Sequence, residues 1–331
     1  MISLLATFAL LSLLVMVGQA RVVMCPEDTQ IYPSGFSKGP CYQSYYKAMV
    51  IFGDSWTENG DAPLDASSYA ENNFDQRAVN GPTWAEYLTA SSGIDLYDFA
   101  ASGATANNSN LPRLVPDAAQ QIESYTNSLT GGKSLPFVST LYALWFGVND
   151  VHDTYTNVQP DERDEKLVVA ADSILNAIST LYQGQGARRF LVALTPPIGY
   201  LPTLTNGSTS VDHDVADGLA QNFNQYIVDR LQAFYSAYPD TEIITFNSYA
   251  LIMDMIQNPN VYSISNSIEA CVNSDGSHCS EPDQYLWWDG WHPTTKTESH
   301  FSSVLEDFLF KGRNKRISKH YVKSSIKFRA T

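Results

Sequence analysis

Three polar residues at opposite ends of this sequence could together perform acyl transfer. Ser55 follows the apolar run 49–52 in a Gly-Asp-Ser turn, and Asp289 and His292 lie near the other end of the chain. A serine hydroxyl is a weak nucleophile until a base removes its proton, and a carboxylate can fix the tautomer of that base. Taken alone, the first motif is equally consistent with a plain turn, and the second with a helix N-cap beside an exposed histidine. Taken together, they predict Ser55 as nucleophile, His292 as base and Asp289 as the partner of His292.

Acyl transfer also needs hydrogen-bond donors aimed at the developing oxyanion. The backbone N–H groups of Ser55 and Gly103 and the side-chain amide of Asn149 could supply three of them. Gly103 lies among small residues after one apolar run, and Asn149 lies in a Gly-Val-Asn-Asp sequence after another. In isolation Asn149 would be interpreted as a turn residue. Its place after a strand makes it a candidate oxyanion-hole donor.

Short apolar runs alternate with amphipathic segments along the chain. The strands and helices that they predict would position these polar residues. The runs predict a first strand that begins near residue 49 and four further strands over 94–99, 140–146, 189–194 and 242–246. The segments between and after them predict helices over 82–90, 115–129, 160–181, 211–238, 248–257 and 294–310. Near-continuous apolar strands alternating with helices favour an α/β fold, a doubly wound parallel sheet covered on both faces. Because the carboxyl ends of parallel strands share one edge, the distant polar residues are expected to meet there.

The ends of the chain differ in composition from its centre. Residues 2–17 are almost entirely apolar and precede Gly-Gln-Ala, so residues 1–20 are interpreted as a secretory signal peptide. An irregular arm is expected over 21–47, one catalytic domain over 48–310, and a flexible basic tail over 311–331. That tail holds eight basic residues and no acidic ones, although the formal charge of the whole chain is −15. An acidic body argues against nucleic acid or an anionic membrane as the main partner.

Export makes the four cysteines interpretable as disulfides. Of three possible connectivities, Cys25–Cys41 and Cys271–Cys279 each close a short loop and are favoured. Metal binding is not expected, since the spacings match no zinc pattern. Asn107 and Asn206 lie in sequons and are expected to carry glycans if the host is eukaryotic.

The ordered set of motifs resembles the GDSL family of SGNH hydrolases, whose four blocks carry Ser, Gly, Asn and His. The matching positions are Ser55, Gly103, Asn149 and His292, and the resemblance extends over about residues 48–310. Trp56 stands where the leucine that gives the family its name would lie. The resemblance implies a flavodoxin-like three-layer α/β/α sandwich with a five-stranded parallel sheet. It also implies ester hydrolysis through an acyl-enzyme, without metal or organic cofactor.

Further sequence features resemble secreted fungal carbohydrate acetylesterases of family 16. These features are Trp-Phe-Gly-Val-Asn-Asp at 145–150, Thr-Pro-Pro at 195–197 and a tryptophan-rich stretch at 285–289. We therefore expect a secreted monomer that acts on acetylated carbohydrates, with Trp56, Asp150 and Trp291 contacting the substrate and His152, Asp153 and Tyr155 lining the pocket. A lipase or lysophospholipase acting on longer acyl esters is the alternative, followed by a secreted binding protein without catalysis.

Overall fold

A mostly parallel sheet forms the centre of the computed structural model, which describes residues 46–60, 77–129, 135–205, 210–310 and 321–324. In the described residues the sheet has six strands, in the order β2-β1-β3-β4-β5-β8. The first five are parallel and β8 is antiparallel to β5. The strands, including two of a separate small sheet, are β1 (Ala48–Gly53), β2 (Asp95–Asp98), β3 (Thr140–Trp145), β4 (Arg189–Ala193), β5 (Glu242–Phe246), β6 (Asn266–Ala270), β7 (Tyr285–Trp287) and β8 (Val322–Ser324).

Helices separate the strands and begin where the sequence provides caps. Asp117 and Gln120 form a reciprocal capping box, in which each side chain accepts a hydrogen bond from the other residue's backbone N–H, at 3.1 and 3.0 Å. The helices are α1 (Trp84–Ser92), α2 (Ala118–Ser128), α3 (Val148–Asn157), α4 (Arg163–Gln185), α5 (Pro202–Thr205), α6 (Ser210–Ala237), α7 (Ser248–Gln257) and α8 (Thr295–Leu309).

Aromatic residues on β3 show that helices cover both faces of the sheet. Tyr142 packs against Tyr125 of α2, and Trp145 packs against Phe301 of α8. Positions 142 and 145 differ by an odd number, so their side chains leave opposite faces of the strand. The fold is therefore the predicted α/β/α sandwich, and its five-stranded parallel sheet is confirmed.

The sheet gains one strand that the sequence did not predict. Tyr321 and β8 lie within the stretch expected to be a flexible tail, but β8 pairs with β5. The Tyr321 hydroxyl donates a hydrogen bond to Asp254 Oδ2 at 2.6 Å, which fixes the start of this segment. For these four residues the expectation of a flexible tail is corrected, since the open edge of β5 supplies backbone partners.

A two-stranded sheet of β6 and β7 carries the loop that leads to His292. A disulfide bond joins Cys271 and Cys279 beside it, as the short loop between them predicted. The predicted signal peptide, the Cys25–Cys41 pair and nearly all of the N-terminal arm lie outside the described residues.

The strand order places a crevice at the centre of the sheet. The chain passes from β1 outward to β2 and then returns to β3 on the other side of β1. Ligands of open α/β sheets bind at the carboxyl ends of the strands where the order reverses in this way. Ser55 follows β1 and Asn149 follows β3, so both flank the crevice.

Candidate active site

Ser55 lies in a tight turn directly after β1. Asp54 Oδ1 accepts a hydrogen bond from the Trp56 N–H at 3.0 Å, which closes the turn. A methyl group on Gly53 would lie 2.6 Å from the carbonyl oxygen of Trp145, so β1 and β3 can approach this closely only with glycine there. Ser55 is 8% exposed. The turn therefore presents the hydroxyl at the surface of the crevice and buries the residues on either side.

Gln121 of α2 holds the end of β1 from below. Its Oε1 accepts a hydrogen bond from the Gly53 N–H at 2.9 Å, and its Nε2 donates one to the Gly53 carbonyl at 2.9 Å. The side chain is buried, so both bonds are shielded from water. Gln121 thus fixes the backbone from which the Ser55 turn begins.

His292 reaches the serine from the opposite end of the chain. The distance between His292 Nε2 and Ser55 Oγ is 2.9 Å. On the other side of the ring, Nδ1 lies 2.9 Å from both carboxylate oxygens of Asp289. These distances match a hydroxyl, a base and an orienting carboxylate joined by hydrogen bonds.

Asp289 is arranged to remain ionised. Burial raises the pKa of this carboxyl, but hydrogen bonding to His292, the charge of that ring and the backbone N–H groups of Trp291 and His292 together hold it below its ordinary value. The two N–H groups lie 2.7 and 2.8 Å from Oδ1. An ionised Asp289 favours the imidazole tautomer with hydrogen on Nδ1, which leaves Nε2 free to accept the serine proton.

Backbone hydrogen bonds hold the loop that carries this pair. The Trp288 N–H donates to the His292 carbonyl at 2.8 Å, and the Thr203 N–H donates to the Gly290 carbonyl at 3.0 Å. Thr294 caps α8 through its side chain, which accepts a hydrogen bond from the Thr297 N–H at 3.3 Å. The position of His292 is therefore set by β7, α5 and α8 together.

Three candidate hydrogen-bond donors lie in the segments that follow β1, β2 and β3. Gly103 has φ of 82°, a left-handed conformation that favours glycine. Asn149 Nδ2 donates to the Ala104 carbonyl at 2.9 Å, which uses one of its two N–H groups and orients the amide beside the Gly103 turn. Among the described residues, the backbone N–H groups of Ser55 and Gly103 donate to no other protein group. Two backbone donors and one side-chain donor therefore remain for a developing oxyanion.

Two carboxyl groups connect the loop after β1 to the loop after β2. Asp98 accepts hydrogen bonds from the Asn59 N–H at 2.9 Å and the Ala100 N–H at 2.8 Å. Glu58 Oε2 accepts from the Ser102 N–H at 2.9 Å. These contacts join the loop after β1 to the loop after β2, so Ser55 and Gly103 keep a fixed separation.

Asp54 and Asp150, two buried acids next to the site, both have raised pKa values. Burial raises the pKa of Asp54 and of Asp150 to about 7, and the charge of Asp150 contributes to the shift of Asp54. Both carboxyl groups retain backbone donors that partly offset the effect. Near neutral pH each is therefore partly protonated in the folded protein.

The family of the chain follows from a comparison with known families. The sequence model of the GDSL-like Lipase/Acylhydrolase family matches residues 49–305. The chain belongs to this family. The matched range begins in β1 and ends in α8, so it contains Ser55, Gly103, Asn149, Asp289 and His292.

Named relatives of this GDSL-family chain include fungal enzymes. It is 24% identical over 336 residues to an acetylesterase of Hypocrea jecorina, covering 85% of this chain and 94% of that protein. It is 25% identical over 277 residues to an acetylesterase of Thermothelomyces thermophilus, covering 79% and 87%. Among solved structures, the acetylxylan esterase Axe2 of Geobacillus stearothermophilus matches with a TM-score of 0.44 and 12% identity, over 81% of this chain and 97% of that one. The family match identifies the chain as a GDSL-family ester hydrolase.

Two of the residues expected to contact the substrate are inside the protein. Trp56 is fully buried and packs against Trp145, Trp287 and Phe301. Asp150 is also fully buried, and both its carboxylate oxygens lie within 3.2 Å of the Ala106 N–H. Neither has surface that a substrate could contact, so the substrate-binding prediction is wrong for both. Each supports the site from beneath.

The other residues expected near the pocket lie on α3 and in the loop before α8. Trp291 is half-buried and its ring packs edge-on against His152, with centroids 4.5 Å apart. Asp153 forms an ion pair with Arg113, at 2.6 Å. Tyr155 lies farther along α3 and donates a hydrogen bond to Asp212 at 2.8 Å. Substrate contact by Trp291 stays a prediction.

Several residues of the site were not identified from the sequence. They are Glu58, Asp98, Arg113 and Gln121. Each acts through a contact to another loop or strand, and no local pattern marks such a residue. Only the three-dimensional arrangement distinguishes Gln121 from the other polar positions of α2.

Two further properties concern metals and membranes. Within the described ranges, no group of three or more His, Cys, Asp or Glu side chains is placed to hold a metal ion. No helix in the described part of the chain combines the length and apolar character needed to cross a bilayer.

Proposed function

We propose that this GDSL-family hydrolase is a secreted serine esterase that removes acetyl groups from carbohydrates or oligosaccharides. One observation carries the chemistry: Ser55 Oγ, the His292 ring and the Asp289 carboxylate form a continuous hydrogen-bonded series with 2.9 Å at each link. The donors of Ser55, Gly103 and Asn149 beside it are suited to a carbonyl oxygen that becomes negative.

The first half of the proposed reaction forms an acyl-enzyme. His292 Nε2 takes the proton of Ser55 while Oγ bonds to the ester carbonyl carbon, and the carbonyl π electrons move to its oxygen. The three donors stabilise this oxyanion, and Asp289 stabilises the imidazolium. When the tetrahedral intermediate collapses, the bond from carbon to the alcohol oxygen breaks and His292 gives its proton to that oxygen. The sugar leaves with a free hydroxyl, and Ser55 carries the acetyl group.

The second half repeats these steps with water. His292 removes a proton from a water molecule, whose oxygen attacks the acetyl carbonyl carbon of acylated Ser55. The same donors hold the second oxyanion. Its collapse breaks the bond to Ser55 Oγ, which regains a proton from His292, and acetic acid is released. These residues complete the cycle without a cofactor.

The choice of acetyl esters of carbohydrates rests on less direct support. Both fungal relatives are acetylesterases, and they align over most of their own length. At the rim, the half-buried Trp291 offers an aromatic surface of the kind that contacts sugar rings. The acidic charge of the chain suits a neutral substrate better than nucleic acid. We expect the enzyme to act as a monomer.

Secretion is also proposed. The apolar segment at 2–17 and the disulfide bond between Cys271 and Cys279 support export to an oxidising compartment. Recovery of the protein from culture medium with an N-terminus near Arg21 would test it. Asn107 Nδ2 donates a hydrogen bond to Ser173 at 3.0 Å, so a glycan at this sequon would have to replace that contact. Asn206, the second sequon, lies outside the described residues.

The experiment that tests the proposed function uses aryl esters of graded acyl length and acetylated oligosaccharides. The wild-type protein is expected to release acetate from both classes, with rates that fall as the acyl chain lengthens. The Ser55→Ala variant should lose activity on all of them, and full activity in that variant would refute the mechanism. Failure of the wild-type protein to react at Ser55 with an organophosphorus probe would instead favour a binding protein without catalysis.

One observation favours the second candidate, a lipase or lysophospholipase. Leu114 is fully exposed. The neighbouring Val115 has a methyl carbon 4.0 Å from where a Gly103 side chain would begin, so this apolar pair lies near the proposed oxyanion hole. Faster hydrolysis of long-chain esters than of acetyl esters would favour this candidate.

A further inference from the structure

An arginine lies beside the proposed oxyanion hole. A methyl group on Gly103 would lie 3.7 Å from Arg113 Nη1. Arg113 follows the Gly103 turn along the chain, and its guanidinium is held by Asp153 of α3. Asp153 is four residues after Asn149, so the two side chains share one face of the helix. The pair thus joins the same two elements that supply the Gly103 and Asn149 donors.

The contact with Asp153 leaves one end of the guanidinium unused. Arg113 Nε donates to Oδ2 at 2.7 Å and Nη2 donates to Oδ1 at 2.6 Å, a bidentate geometry that fixes the plane of the group. Among the described residues, Nη1 makes no hydrogen bond to protein. The Arg113 side chain is 32% exposed. Two N–H donors are therefore held in a fixed direction next to the site and are accessible to a ligand.

The charge of the pair indicates the kind of ligand. Burial raises the pKa of Asp153, but hydrogen bonds from His152 and Arg113 hold it below its ordinary value, so this carboxylate is ionised. It balances the guanidinium, and the pair as a whole is neutral. A neutral pair that still offers directed donors suits uncharged oxygen atoms better than a carboxylate or a phosphate.

The surroundings extend this polar surface toward the base. His152 Nδ1 lies 3.3 Å from Asp153 Oδ1, and the His152 ring packs against Trp291, which precedes His292. The rim therefore runs from the Gly103 donor through a cation, a carboxylate and two aromatic rings to the catalytic imidazole. Oriented donors beside an aromatic surface are the combination expected for a ligand with hydroxyl groups on an apolar ring.

We propose that Arg113, held by Asp153, determines specificity for the alcohol part of the substrate by donating hydrogen bonds from Nη1 to oxygen atoms of the sugar. This inference rests on the proposed function. An acetyl group has no polar atoms beyond its ester oxygens, so any further oxygen that Arg113 binds must belong to the sugar. The pair would then distinguish an acetylated carbohydrate from an acetyl ester of a plain alcohol.

The test compares Arg113→Met with a matched control on two substrates. The control is Arg188→Met, because Arg188 pairs with Asp240 at 2.7 Å and its side chain is 31% exposed, but it directly precedes β4, at the amino ends of the strands and therefore on the side of the sheet away from the site. The substrates are an acetylated oligosaccharide and 4-nitrophenyl acetate, which has no hydroxyl groups. Values of kcat and KM are measured for both, together with the thermal unfolding midpoint.

For Arg113→Met we expect kcat/KM on the oligosaccharide to fall about 10- to 100-fold, mostly through KM, as for a lost hydrogen bond to a charged donor. Activity on 4-nitrophenyl acetate should fall several-fold less than activity on the oligosaccharide, because the hydrogen bond from the Ala106 N–H to Asp150 still joins the Gly103 loop to α3 in the variant. Arg188→Met should leave both substrates unaffected. Arg113→Lys keeps the charge but not the fixed fork, and should show the same selective loss in a variant with little change in fold.

Two results would overturn the inference. Equal losses on both substrates would mean that Arg113 supports the oxyanion hole or the fold, and no loss on either would mean that it does not contact the sugar. In both cases the proposed function stands if the wild-type protein deacetylates the oligosaccharide. A wild-type protein that hydrolyses only the aryl ester would overturn the proposed function and this inference together.

Discussion

The Asp150 carboxylate accepts a hydrogen bond from the Ala106 N–H, with Oδ1 at 3.0 Å and Oδ2 at 3.2 Å. Asp150 is the residue after Asn149, and Ala106 is three residues after Gly103. The contact therefore fastens the helix that supplies one proposed oxyanion donor to the loop that supplies another. Asp150 is fully buried, so water cannot replace the bond if it is lost.

Two substitutions of Asp150 distinguish the contribution of its hydrogen bond from that of its charge. Asp150→Ala leaves the Ala106 N–H buried without a partner, so we expect the free energy of unfolding to fall by about 1–3 kcal/mol. We also expect kcat to fall, because Asn149 and Gly103 lose their common anchor. Asp150→Asn keeps an acceptor oxygen and should retain most of both. Urea unfolding and kcat on 4-nitrophenyl acetate check this, and equal effects of the two substitutions would contradict it.

Asn149 is expected to act on the transition state rather than on binding. Removal of one oxyanion donor costs about 10²–10³-fold in kcat, so Asn149→Ala should lose that factor while KM changes little. The remaining donors of Ser55 and Gly103 account for residual activity. The comparison is Asn110→Ala, whose side chain in the same region donates to the Lys166 carbonyl at 2.8 Å but does not face Ser55. A large rise in KM for Asn149→Ala with unchanged kcat would contradict the assigned role.

The sequence predicted the catalytic residues better than the residues that hold them in place. Ser55, Gly103, Asn149 and His292 each lie in a short motif that follows a strand, and parallel pairing of the strands brings such positions to one edge. The five parallel strands were predicted from apolar runs separated by helices, whereas their order in the sheet was not predicted. By contrast, α3 was not predicted, because it directly follows a glycine with φ of 128° and has a polar sequence.

Burial was the property that the sequence could not determine. Trp56 and Asp150 flank catalytic motifs, and both proximity and residue type suggested substrate contact. A residue next to Ser55 in a tight turn nevertheless points the other way, into the core between β3 and α8. The partners that decide this, Trp145 and Phe301, are distant in sequence, so no local pattern reveals them.

The buried acids make a prediction about stability and pH. Asp54 and Asp150 have folded-state pKa values raised to about 7 by burial, well above those of unfolded carboxyl groups. The folded protein therefore binds more protons than the unfolded chain between about pH 4 and 7, and stability decreases as pH rises through this window. Asp289 and Asp153, whose pKa values are lowered, act oppositely but only at more acidic pH.

The measurement is the free energy of unfolding in urea between pH 5.5 and 8.5, the limits being about 1.5 pH units either side of the raised pKa values. Asp54→Asn removes one of the two groups, so its stability should fall less with pH than that of the wild-type protein, by about 1–4 kcal/mol over the range. The difference between the two slopes excludes the contributions of titratable groups that keep the same pKa in both proteins. One such group is His300, whose pKa is lowered by burial. Identical slopes in both proteins would show that Asp54 is ionised throughout.

Trp56, which is buried in the core, and Trp291, which is half-buried, should respond differently to substitution. Trp56 is enclosed by Trp145, Trp287 and Phe301, and its indole N–H has no hydrogen-bond partner among the described residues. Trp56→Leu leaves a cavity, so we expect a loss of about 1–4 kcal/mol in unfolding free energy with little change in KM. The loss of an unpaired buried N–H offsets part of this cost.

Trp291→Leu is the matched substitution at the rim. Trp291 is only half-buried, so we expect a smaller loss of stability and a higher KM for acetylated oligosaccharides, with KM for 4-nitrophenyl acetate less affected. Thermal unfolding and initial rates on both substrates distinguish the two variants. If Trp56→Leu raised KM while Trp291→Leu did not, the substrate would have to reach the core side of the Ser55 turn, and the assignment of Trp56 to the core would be wrong.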